Sequence, residues 1–140
     1  MPGDDKVWRQ IVNLVNRVAG VHVKAGILND GEMAEIGLYH EYGTEDIPER
    51  SWLRSTFRDK RTQLIAIQAR IAKALLENRI SEVQAMELLG AWAAGAIKSQ
   101  ITTDGNFAPL ASSTIAAKHS AKALIETGQM ANSISYVVVR

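Results

Sequence analysis

The apolar residues between positions 4 and 18 are Val7, Trp8, Ile11, Val12, Leu14, Val15 and Val18. Their spacing follows one side of a helix and predicts an amphipathic helix. Asp4 and Asp5 suit its start, where the helix dipole favours negative charge, and Gly20 suits its stop. From Val21 to Ile27 the period changes to two, with His22 and Lys24 between apolar neighbours. This predicts a half-buried strand. Asn29-Asp30-Gly31 turns the chain. Met33, Ile36, Leu38 and Tyr39 then allow a short helix that Gly43 would end. Thr44 to Glu49 reads as a loop in which Pro48 keeps Ile47 extended.

A long central helix is expected from Ser51. Leu53, Phe57, Leu64, Ile67, Ile71 and Leu75 follow one side of it for about seven turns. At ~1.5 Å per residue it would be about 40 Å long. Lys60-Arg61-Thr62 interrupts the pattern and marks a bend or a projecting part. Asn78-Arg79-Ile80 breaks the helix. Ser81 with Gln84 three residues later forms a capping-box pattern for the next one, which carries Val83, Met86, Leu89, Ala93, Ala96 and Ile97. Its small-residue run, Gly90 to Ala96, would admit another helix backbone closely, with Trp92 as an anchor. Thr103 to Pro109 reads as a loop. Ser113 can cap a short helix over 114–121, and Thr127 a turn over 128–132. Ser133 to Val139 alternates Ile134, Tyr136 and Val138 on one side and reads as a strand. Pairing it with Val21–Ile27 gives a small antiparallel sheet. The expected fold is α+β: one helix-rich domain over 1–140 with a long central helix and a sheet made by strands from both ends.

Composition narrows the function classes. The 140 residues are 46% hydrophobic and 22% charged, ordinary values for a globular domain. With no cysteine, disulfides, thiolate metal sites and cysteine nucleophiles are excluded. No apolar run approaches the ~20 residues of a membrane span. The opening MPGDDKVWRQ lacks the basic region and apolar core of a signal peptide, so an intracellular protein is expected.

The net charge of +1 conceals a division. Residues 1–50 sum to −4 and residues 51–140 to +5. From Asp30 to Glu49 there are seven acids and no Lys or Arg, and the basic residues Arg50, Arg54, Arg58, Lys60 and Arg61 follow at once. An ordinary solvated face accounts for such a pattern. So does a protomer whose unlike-charged surfaces meet across copies of itself, where charge fixes partner and register. On that second reading Glu41, Glu45, Asp46, Glu49, Arg50, Arg54, Arg58, Lys60 and Arg61 are the interface candidates.

Catalytic constellations are missing from the sequence. His22, His40 and His119 have no second His at i+3 or i+4, so the paired ligands of a zinc helix are absent. There is no GxxxxGK[ST], GxGxxG or GxSxG. The acids of residues 41–49 sit in a loop that offers no pocket to raise a carboxyl pKa. No catalytic residue, metal ligand or cofactor site is assigned, and a non-enzyme is expected.

Two blocks carry a resemblance. The first is Ala34-Glu35-Ile36-Gly37-Leu38-Tyr39-His40-Glu41-Tyr42-Gly43-Thr44, followed by Ile47-Pro48-Glu49-Arg50-Ser51-Trp52-Leu53-Arg54. The second is Pro109-Leu110-Ala111-Ser112-Ser113-Thr114, Lys118, then Leu124-Ile125-Glu126-Thr127-Gly128-Gln129-Met130 and Ser133-Ile134-Ser135-Tyr136. In order and spacing they resemble the tail-completion and neck proteins of tailed bacteriophages, also described as tail components or virion morphogenesis proteins. Trp52 stands where Pro-Phe is common, and Met130 where Leu is common. The resemblance implies a structural virion protein that joins head to tail as a homo-oligomeric ring of six copies. It would seat between the tail terminator or tail tube and the head connector or stopper, with DNA passing through the lumen and no membrane. Assembly would take place in the bacterial cytoplasm. A small nucleic-acid-binding or regulatory module is the alternative.

Within the first block, Gly43 can supply a turn with positive φ and Thr44 can close it. Pro48 stiffens the helix entry, Arg50 is placed to pin the loop to Glu41 or Glu45, and Trp52 anchors the helix start in the core. Thr127-Gly128 forms a second corner before the last strand.

Overall fold

The computed structural model describes residues 2–104 and 128–140. The chain runs through α1 (Pro2–Val18), β1 (His22–Ile27), α2 (Gly31–Tyr42), α3 (Arg54–Asp59), α4 (Arg61–Leu76) and α5 (Glu82–Ser99). A π-helical turn over Gln100–Asp104 extends α5, residues 128–133 are helical, and β2 (Ile134–Val139) closes the series. The fold is α+β, with the expected antiparallel sheet: His22 opposes Val139 and Ile27 opposes Ile134.

Three helix boundaries are set by caps. Asp30 caps α2 through its side chain, which accepts from the Met33 N–H at 3.0 Å. The expected turn at Asn29-Asp30-Gly31 is therefore the helix entry. The capping box at Ser81 is complete: the Gln84 N–H donates to Ser81 Oγ at 3.1 Å, and the Ser81 N–H donates to Gln84 Oε1 at 2.9 Å. Asn78 ends α4 at φ 55°, a left-handed conformation that Asn tolerates. The N–H groups of Arg79 and Asn78 fold back onto the carbonyls of Ala74 and Leu75, the paired bonds of a Schellman stop.

The helix expected from Ser51 begins at Arg54 and is divided at Lys60, whose φ of −107° and ψ of 20° leave the helical range. Backbone bonds still cross the division, from Lys60 to Thr56 and from Leu64 to Lys60. The interruption is therefore a bend between a short helix and a 16-residue one. Among the described residues the longest helix is α5, with 18 residues before its π-turn. That turn takes in Thr103 and Asp104, which the sequence pattern assigned to a loop. The loop beyond it, the helix over 114–121 and Thr127 lie outside the described residues.

α5 is the element that ties the core together. Ala85 and Leu89, near its start, pack with Ile71 and Leu75 of α4 and with Leu14 and Val18 of α1. Ala94 and Ile97, near its end, pack with Trp52, Met33, Met130 and Ile134. The small-residue run between them meets the sheet, where the sequence pattern expected a helix. A Cβ built on Gly90 would lie 2.4 Å from Tyr136 Cδ2 and 2.7 Å from Val23 Cγ2. Strand register then puts Val23, Ala25, Ile27, Ile134, Tyr136 and Val138 on the α5 side of the sheet.

Two glycines of α5 give opposite expectations. Gly90→Ala should destabilise by about 1–3 kcal/mol, because the added carbon overlaps the Tyr136 ring. Gly95 has nothing within 4 Å of an added Cβ. Gly95→Ala should gain up to about 1 kcal/mol from helix propensity. Denaturant midpoints of the two variants, read against the parent, check both signs.

Candidate functional site

The first resemblance block folds into a corner built on one carboxylate. Glu41, near the end of α2, is buried and points at the opening of α3. Its two oxygens accept from the backbone N–H groups of Trp52 (2.8 Å), Leu53 (2.8 Å) and Arg54 (3.1 Å). Ser51 Oγ donates at 2.9 Å and Arg54 Nε at 2.7 Å. The first N–H groups of a helix have no partner of their own, and here a side chain from the preceding helix supplies one. Burial alone would raise the Glu41 pKa. The backbone and side-chain donors, Leu53, Arg54 and Ser51, outweigh it and bring the group from 4.5 down to about 2.

Arg54 closes the corner from outside. Its Nη2 donates to the Glu41 carbonyl at 2.8 Å and to Glu49 Oε1 at 2.9 Å. Its guanidinium lies 4.6 Å from the centre of the Tyr42 ring, in cation–π range. The pinning role expected of Arg50 therefore belongs to Arg54. Residue 54 stands on the first turn of α3 directly beside Glu41, whereas Arg50 contributes its backbone N–H, 2.7 Å from the His40 carbonyl.

The intervening loop is held by its own residues. Gly43 ends α2 at φ 77° and donates to the Tyr39 carbonyl. A Cβ there would lie 2.9 Å from the Glu49 nitrogen, so strain and contact both exclude a side chain. Thr44 Oγ1 accepts from the N–H groups of Asp46 (3.2 Å) and Ile47 (3.0 Å). The exposed Pro48 follows. Trp52 is buried, and its Nε1 donates to the Gly37 carbonyl at 2.8 Å, with the ring 3.0 Å from where a Gly37 Cβ would be.

A polar thread that the sequence reading did not single out continues inward. The Ser55 N–H donates to Ser51 Oγ at 3.1 Å. Gln100 Nε2, at the end of α5, donates to Ser55 Oγ and Asp59 Oδ2, both at 3.0 Å. The available signal was the serine pair four residues apart and a lone Gln after a run of small residues.

The interface candidates separate into two sets. Glu41, Glu49 and Arg54 are joined within one chain, and Arg58 pairs with its neighbour Asp59 at 2.9 Å. Lys60 is half-buried at the bend. Glu45, Asp46 and Arg61 are exposed and make no ion pair among the described residues. Gly128 is the first of the described helical residues before β2 and is exposed. Beside the corner runs a groove of about 380 Å³ with largely apolar walls, between Ala25–Leu28 of the β1 edge and Leu38, Tyr42 and Leu53. No group of three or more potential metal ligands occurs among the described residues, and none of their helices is long and apolar enough to cross a membrane. Compared with family models, curated proteins and solved structures, the chain finds no match.

The geometry makes stability depend on Glu41 ionisation. The folded-state pKa is depressed, so the contribution is complete above the unfolded value of 4.5 and is lost as pH falls toward about 2. Glu41→Gln should cost about 2–3 kcal/mol at neutral pH. It should also flatten the acid limb of a stability–pH curve measured by urea titration. An unchanged limb would reject the assignment.

Proposed function

We propose that the protein is a structural component of a tailed-phage or prophage virion. In this reading it joins head to tail as a homo-oligomeric ring and acts by surface complementarity, without catalysis. The tail terminator or tube and the head connector or stopper are its partners, and DNA passes through the lumen. The observation that carries the reading is the corner itself. The first resemblance block forms one continuous unit, in which Glu41, Gly43, Thr44, Arg50, Trp52 and Arg54 each hold a defined bond or turn. This rigid unit leaves Glu45 and Asp46 outward on the acidic loop and Arg61 outward beyond the bend. Opposite charges held on a stiff frame suit a contact repeated from copy to copy.

Arg54 is unsuitable as a probe of that contact, because reversing its charge would disturb the corner. Glu45→Lys with Asp46→Lys, and separately Arg61→Glu, should each lower the yield of joined particles while leaving circular dichroism unchanged. Combining the reversals should restore part of the yield. Particles made without the protein should separate into filled heads and free tails under the electron microscope. Joined particles at normal yield would overturn the proposal.

A second reading, a nucleic-acid-binding module, is favoured by α4. This helix carries Arg61, Arg70 and Lys73 exposed and contains no acid. Such a module would shift DNA or RNA in a gel, with affinity falling steeply as salt rises.

A further inference from the structure

Among the described residues the sheet has two strands, and neither outer edge is paired. Beyond the β1–β2 ladder, the backbone N–H and C=O groups of residues 22–27 and 134–139 have no hydrogen-bond partner among the described residues. Two-stranded sheets are marginal in water, and unprotected edges are templates for pairing. Neither strand carries a proline.

The two edges differ in chemistry. β1 presents His22 and Lys24 on the side of the sheet away from α5, and its open edge borders the apolar groove. β2 has the sequence ISYVVV and no charge. Apart from Ser135 it is apolar on both sides, as in strands covered on both. Yet Val137 is 46% exposed and Tyr136 38%. Pairing β1 with β1 of another copy would bring lysines and histidines together against an apolar groove. Pairing β2 with β2 would leave that groove and the β1 edge open in every copy. Placing the uncharged β2 of one copy on the β1 edge of the next fills both edges and continues the antiparallel alternation.

We propose that copies of this chain associate head to tail by strand addition, the β2 edge of each joining the β1 edge of its neighbour. Such a contact is heterologous, and with sheet twist it closes into a ring or runs on as a filament. The inference rests on the ring-forming reading above and names the surface that builds the ring.

The absence of cysteine gives a clean test. Single cysteines are placed on the sheet side away from α5, at His22 or Lys24 in one preparation and at Ser135 or Val137 in another. Each variant is checked for parent-like circular dichroism and mixed with its counterpart under a mild oxidant. Disulfide-linked dimers are expected in at least one β1–β2 mixture and in neither member alone. Dimers from β1 variants alone or from β2 variants alone would overturn the head-to-tail arrangement. No cross-link in any combination would overturn strand addition altogether. Mass measurement of the parent keeps the two proposals apart. An oligomer without β1–β2 cross-links leaves the ring reading standing and removes only its proposed surface.

Discussion

The structure around α2 and α3 depends on a single carboxylate. Glu41 gathers three successive backbone N–H groups, a hydroxyl and a guanidinium. A buried anion is costly unless it is fully bonded, and this one is. Because the donors come from the opening of α3, the carboxylate sets where that helix begins and the direction it takes. Trp52 then falls beneath α2, and Ser51 and Ser55 fall in line with Gln100 at the end of α5. Removing the charge would loosen the helix start, the indole and the polar thread together.

This changes the meaning of the charge division at Arg50. The acidic segment and the basic helix start do meet, but much of the meeting is internal. Arg54 holds Glu41 and Glu49 within its own chain and lies over Tyr42. The charges that remain available are fewer and lie farther out, at Glu45, Asp46 and Arg61.

Most of the architecture was legible from periodicity. The two strands, their pairing and the helices on either side follow from period two and period 3.6, which report which side of an element is dry. The capping box at Ser81 and the stop at Asn78 are local codes and were equally readable. The partner of the small-residue run was not, because small side chains announce only that something approaches closely. Here it is the sheet, through Val23 and Tyr136. Nor could spacing choose between Arg50 and Arg54 as the pin. That choice depends on where α3 begins, and this is set by a carboxylate eleven residues upstream of its first N–H partner. The glycine turn, the loop threonine and the tryptophan anchor were legible because each has a conformational reason to be that residue type.

The sheet has a consequence for the order in which the molecule forms. The bonds of the corner span 10–13 residues, whereas the ladder joins residues more than a hundred apart in the chain. Loop closure favours the nearer contacts, so the corner is expected to form before the ladder. During synthesis β1 leaves the ribosome long before β2 exists. Until then it waits with both edges open, in a cell where other copies are completing their own β2. On the proposed strand addition, the chain would have to close its own ladder before a neighbour's strand takes the place, and local concentration during translation would then bear on how the fold is reached.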